Sequence, residues 1–242
     1  KFPKPKLGDI FKRRTVAALA RLLAPKVDRG VATTNIVAVT PETGPARFEP
    51  FPLTSIQQAY WVGRLGSFKL GNVASHWYRE LSASEFDTDA FEVALNQLIQ
   101  RQSMLRARVT ADGEQEILES VPKYHVKRHD LRGASASKQA LHAASMREKL
   151  SHQVIDIESY PTFDIQVSVM PNETLLHMSF DLTFIDAGSV PIFLGELNAL
   201  SAHPDKPAEE VLPPLRLSFR DYVMATEKVR GSPAFARDEQ YW

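Results

Sequence analysis

The apolar residues of this chain keep two different periods, and the coexistence of both restricts what it can fold into. Over residues 88–101 they fall at Phe91, Ala94, Leu95, Leu98 and Ile99, which is one face of an α-helix. Burying that face is worth about 1.5–3 kcal/mol for each large side chain, so the helix is expected to face a core. Over residues 174–182 the period drops to two. Leu176, Met178, Phe180 and Leu182 point to one side of a strand, and Leu175, His177, Ser179 and Asp181 to the other. The first side is expected to pack against helices and the second to present a polar line ending at Asp181. A second strand is predicted at 163–171, joined by a turn at Pro171-Asn172-Glu173. Helix and strand signals interleave elsewhere as well. Helices are predicted at 55–65 after the Thr54 cap, at 137–151, after a Ser189 cap with Pro191 in the first turn, and at 219–230 behind a capping-box-like Ser218 and Asp221. HWYRELSA, from His76, reads as a strand, and 104–119 as a hairpin turning near Asp112-Gly113. Strands alternating with such helices predict an α/β sandwich.

The bulk properties exclude several classes. Lys plus Arg and Asp plus Glu both number 29, so net charge supplies no attraction to nucleic acid or to an anionic membrane. The absence of cysteine rules out disulfides, a thiol nucleophile and cysteine-ligated zinc. No apolar run approaches the roughly 20 residues that span a bilayer, and residues 1–8 do not read as a signal peptide. A cytoplasmic protein is the expectation. Near the N-terminus, TVAALARLL (15–23) forms a short helix capped by Thr15, with Val16, Leu19, Ala20 and Leu23 on one face. It is too short to stand alone. Residues 26–48 hold Pro, Gly, Thr and Glu without helical period and read as a linker, and the second region runs on from residue 49.

Asp181 and Asp186 carry the most suggestive chemistry. Both lie near the end of the 174–182 strand, where a carboxylate with an apolar flank can have a raised pKa and move protons. Two structural readings compete: Asp before a helix is commonly a cap, and Asp at a strand end commonly forms a turn. His177 and Asp181 share a strand face, but two ligands are too few for a metal, and no HExxH spacing occurs. The sequence contains no GxSxG elbow, P-loop or GxGxxG either.

Four segments in order resemble one family. FPLTSIQQAYWVGR (51–64) is similar to the opening motif of nonribosomal peptide synthetase heterocyclization domains, FPLTxxQxAYxxGR. RQSMLRARV, from Arg101, resembles the second motif, with Gln102 where His is expected. DLTFID (181–186) resembles the DxxxxD signature, and LPPLRLSFRDYV, from Leu212, the segment that follows. Ordinary condensation domains, which are related, carry HHxxxDG in place of DxxxxD. Laid over this sequence, their second His falls on Leu182, which cannot assist amide formation. LGDIFKRRTVAALARLL (7–23) resembles the tail of a carrier protein.

The resemblance implies the first of two chloramphenicol-acetyltransferase-like lobes, a mixed sheet flanked by helices, over residues 49–242. Before it stand a carrier remnant at 1–25 and a linker at 26–48. The second lobe is expected beyond Trp242, where RDEQYW looks like a helix beginning, and residues 1–242 alone are expected to be inactive. The implied reaction joins a carrier-bound acyl thioester to a carrier-bound Cys, Ser or Thr and closes the ring to a thiazoline or oxazoline with loss of water. Ordinary condensation and a non-catalytic carrier-docking scaffold are the alternatives. The implied partners are upstream and downstream carrier proteins and an adjacent adenylation domain. The phosphopantetheine arms arrive on those carriers, and no metal or directly bound cofactor is implied. Asp181 and Asp186 are the implied site residues. Asp186 is expected to hold its loop, with about 1–3 kcal/mol lost on removal, and Asp181 to shape the site with a smaller effect on folding.

Overall fold

The computed structural model describes residues 38–65, 71 and 73–242. The predicted helix at 15–23 lies outside the described residues, as does the first part of the 26–48 linker. The strands are β1 (Phe51–Pro52), β2 (His76–Ala83), β3 (Ala107–Val109), β4 (Glu114–Ile117), β5 (Lys127–Asp130), β6 (Phe163–Val169) and β7 (Thr174–Asp181). The helices are α1 (Ser55–Arg64), α2 (Thr88–Arg101), α3 (Ala136–His152), α4 (Ser189–Ser201), α5 (Ala208–Val211), α6 (Phe219–Arg230) and α7 (Pro233–Tyr241). Two sheets form. The larger has the order β2-β7-β6-β5, antiparallel except for the parallel β5–β6 pair, and the smaller has the order β1-β4-β3.

The predicted helix at 88–101 is α2, capped by the Asp87 side chain on the amides of Asp89 and Ala90. Its predicted face is the buried one: Ala94, Leu95 and Leu98 have no exposure. They pack with Phe193, Leu197 and Leu200 of α4 against Ile165, Val167, Met178 and Phe180 of the sheet. Phe180 links the layers, its ring centroid 5.6 Å from that of Phe163 and 5.2 Å from that of Phe193.

The other face of β7 departs from expectation. All eight residues of the strand are buried, the polar line included. β7 is a central strand, and α3 covers the face that was expected to be presented. The Ser179 hydroxyl donates to the Leu150 carbonyl at 3.1 Å. His177 sits between the Tyr78 hydroxyl (2.9 Å from Nδ1) and the Ser168 hydroxyl (3.0 Å from Nε2), and Ser168 also meets His142 of α3 at 3.0 Å. The sheet is therefore covered on both faces, and its polar side survives burial because its groups find partners.

The hairpin at 107–117 turns on Gly113, at φ 76°. A Cβ there would also lie 2.8 Å from the Trp61 ring, so glycine is required for backbone conformation and for space. Ser189 does not cap α4 with its own side chain. Asp186 does so from one turn earlier, its Oδ1 accepting from the Ser189 amide at 2.7 Å and the Ser189 hydroxyl at 2.6 Å. Residues 42–49, mostly within the stretch read as linker, lie against α6. The Glu42 amide donates to Asp221 Oδ1 at 2.8 Å, Glu42 pairs with Arg220, and Arg220 Nε donates to the Glu49 carbonyl at 3.2 Å.

Candidate active site

Helix α1 and the DLTFID turn at the end of β7 are joined by two polar side chains one heptad apart on α1, and therefore on one helix face. At the N-terminal end, Gln57 is buried, and its Nε2 donates to the Thr183 carbonyl at 2.8 Å and to Gln115 Oε1 at 2.9 Å. Its Oε1 accepts from the Thr54 amide at 2.9 Å, completing a capping box that starts α1. At the C-terminal end, Arg64 Nη1 pairs with Asp181 Oδ2 while its Nη2 donates to the Ile155 carbonyl. The other carboxylate oxygen of Asp181 accepts from the Thr183 amide at 2.9 Å. With side-chain exposures of 11% for Arg64 and 1% for Asp181, this is a buried ion pair.

The two aspartates thus have different surroundings. Asp181 is sealed under α1. Asp186 is exposed and borders a cleft of about 840 Å³ between α1, the DLTFID turn, the start of α4 and the segment leading into α6. Apolar side chains dominate its walls, among them Tyr60, Leu105, Ile185, Phe193 and Tyr222, and no histidine lines it among the described residues. Hydrogen bonds from the Ser189 hydroxyl and amide hold the Asp186 pKa below the ordinary carboxylate value. A proton-transferring carboxylate with a raised pKa was one sequence expectation, and Asp186 moves in the opposite direction because its charged form collects donors. Neither His177 nor Asp181 reaches a metal-binding cluster. Among the described residues no group of three or more His, Cys, Asp or Glu is placed to hold a metal ion.

Comparison with known proteins fits this arrangement. Residues 49–242 match the Condensation domain family. The chain belongs to the condensation-domain family. This condensation-family chain is 33% identical over 209 residues to pyochelin synthetase PchF of Pseudomonas aeruginosa, with 83% of the chain and 11% of PchF covered. It is 32% identical over 227 residues to phenyloxazoline synthase MbtB of Mycobacterium tuberculosis, with 93% of the chain and 15% of MbtB covered. Among solved structures, the EpoB NRPS cyclization-docking bidomain from Sorangium cellulosum matches with a TM-score of 0.78 and 31% identity, over 99% of this chain and 47% of that one. The chain thus spans a small part of these curated relatives and about half of the bidomain. The fold is the α/β, helix-flanked mixed sheet of condensation-family structures, about half of such a domain.

Sequence reasoning singled out Asp181 and Asp186 and left Gln57 and Arg64 without roles, although both are fixed letters of the opening motif. Their spacing places them on one helix face, which was a usable signal. Their partners were not readable, because Thr183 and Asp181 lie 126 and 117 residues away. Gln102, which replaces a motif His, donates to Glu196 Oε2 at 2.6 Å and helps tie the end of α2 to α4.

Proposed function

We propose that this chain is the first lobe of a heterocyclization domain. In this reading the cleft beside Asp186 is one wall of a site in which two carrier-borne thioesters meet. The observation that carries the reading is the environment of Leu182. It occupies the position of the amide-forming His in ordinary condensation domains, packs partly buried against the apolar core, and borders a cleft with no histidine among the described residues. The names of the relatives, a phenyloxazoline synthase and a cyclization bidomain, point the same way.

The acceptor amine attacks the donor thioester carbonyl and releases the donor carrier thiol, giving an amide. The acceptor side-chain thiol or hydroxyl then adds to the amide carbon, and loss of one water gives the five-membered ring. The contribution of this lobe is geometric. The apolar side chains furnish one wall of the site, and the Gln57 and Arg64 tethers hold the turn that shapes the cleft. Asp186, ionised and bound to Ser189, keeps the start of α4 in register with that turn. The carriers deliver the phosphopantetheine arms, and an adenylation domain loads the acceptor carrier.

The test is product mass from the complete polypeptide supplied with both loaded carriers. The reading requires a product lighter than the linear amide by one water. Accumulation of linear amide as the only product would establish ordinary condensation, and binding of loaded carriers without any product would establish a docking scaffold.

A further inference from the structure

A second, smaller pocket of about 170 Å³ lies beside the main cleft and shares with it Ser103, Leu215, Leu217 and Ser218. Four arginines line it: Arg47, Arg101, Arg106 and Arg216. Their charges are unequally neutralised. Arg101 is paired with Glu196 at 3.1 Å. Arg106 is 4% exposed, and its guanidinium donates only to backbone carbonyls, those of Ile99, Gln100, Leu118 and Glu119. No carboxylate faces it among the described residues. Arg47 and Arg216 are exposed and likewise lack an acidic partner among the described residues, Arg47 lying over the Phe48 ring at 4.8 Å.

Two acidic residues also line the pocket, and both are already engaged. Glu42 pairs with Arg220. Asp221 spends Oδ1 on the Glu42 amide and Oδ2 on the Ser218 amide and hydroxyl, at 2.7 and 2.8 Å. Asp221 is held only by neutral donors and keeps its charge, but the three arginines without a carboxylate partner, Arg106, Arg47 and Arg216, outweigh it, so the hollow stays net positive and favours an anion. Burial, reinforced by the Arg47 charge nearby, lowers the Arg106 pKa. Guanidinium forks suit the oxygens of a phosphate.

We infer that this pocket binds the phosphate of a carrier-borne phosphopantetheine arm whose thioester end lies in the adjoining cleft. The inference rests on the reading of that cleft as a site for carrier-borne thioesters. The shared rim lets one ligand occupy both cavities, the phosphate among the arginines and the pantetheine chain along the apolar wall. Arg47 and Arg216 would supply the hydrogen bonds, and Arg106 the field.

Calorimetric titration of the complete polypeptide with phosphopantetheine, pantetheine and inorganic phosphate tests this without requiring turnover. Phosphopantetheine is expected to bind at least about ten-fold more tightly than either of the others, and that advantage is expected to vanish in the Arg47→Ala/Arg216→Ala variant. Both substituted residues are exposed, and an unchanged melting temperature would confirm intact folding. Equal binding of phosphopantetheine and pantetheine to the parent protein, or an advantage that survives in the double variant, overturns the assignment. Inorganic phosphate binding as tightly as phosphopantetheine also overturns it, leaving a free-anion site unconnected to the arm. Phosphate-dependent binding in a protein that forms no amide or heterocycle would sink the catalytic reading and leave the arginine pocket standing.

Discussion

Asp181 and Asp186 differ in what their removal leaves behind. Asp181→Ala strands the Arg64 guanidinium in a site with 11% side-chain exposure, facing only a carbonyl. Breaking a buried pair from one side costs about 3–5 kcal/mol. Asp186→Ala removes an exposed, helix-starting acceptor and costs about 0.5–2 kcal/mol. This ranking reverses the sequence-based expectation, because burial and an ion-pair partner decide the cost and neither shows in the spacing of two aspartates. Denaturant unfolding of the two variants measures it. The pairing further predicts that Asp181→Ala and Arg64→Met are less than additive when combined, since the double variant leaves no stranded charge. Strict additivity would mean that the pair is not coupled, and an Asp181→Ala protein as stable as the parent would mean that Asp181 does not hold α1 to the strand end. Under the proposed heterocyclization reading, Asp186→Ala in the complete polypeptide is expected to slow amide formation and ring closure together, because it loosens the start of α4 beside the cleft.

At the scale of elements, the covered polar face of the larger sheet makes stability depend on pH. His177 of β7 faces Tyr78 and Glu80 of β2, Ser168 of β6, and His142 and Arg147 of α3, with His129 of β5 close behind. Burial is the largest influence and pushes its pKa down from 6.5 to about 4, against the pull of Glu80. The folded protein therefore keeps His177 neutral where the unfolded chain would protonate it. Stability contributed this way is complete above about pH 6.5, declines as pH falls, and is lost by about pH 4. The gap corresponds to roughly 3 kcal/mol. His177→Gln should flatten that part of the curve. Unfolding free energies of parent and variant at pH 7 and pH 5 check it, and an unchanged difference between the two pH values would show that another group carries the dependence. α3 is the element held by this face, so its amides are expected to lose hydrogen-exchange protection first on acidification.

For the molecule as a whole, residues 39–242 form one compact unit, which begins within the 26–48 stretch read as a linker. Glu42 and Glu49, which meet Arg220, both belong to that unit. Deleting residues 1–38, which keeps the whole of that unit, is expected to leave the melting temperature of the remainder within about one degree. Deleting 1–48 should lower it by several degrees, since it removes the Glu42 partner of the buried Arg220 and uncovers Phe51 and Val223 from beneath Phe48. Thermal melts of the two truncations separate these outcomes, and equal melting would mean that residues 39–48 contribute nothing to the lobe.

Local physics made much of this structure legible. The limits of α2 and α6, the capping residues Thr54 and Ser218, and the β6–β7 pair follow from periodicity and caps that act within a few residues, so the α/β class could be read directly. The motifs located the opening helix and the DLTFID turn. β5 leaves no such signal because KRHD has no apolar alternation and is held by parallel pairing to a strand some forty residues away, as its pairing of Lys127 with Gln166 shows. β1 and α5 are too short to leave a period. What only the tertiary structure decided is which polar residues are buried and with whom. Alternation along β7 distinguishes two faces but cannot say that both are covered, since that depends on α3 returning over the sheet. Nor can it say that Asp181 is matched by Arg64 while Asp186 meets the cleft. Charge pairing and burial depend on distance in space, and Arg64 and Asp181 lie more than a hundred residues apart in the chain.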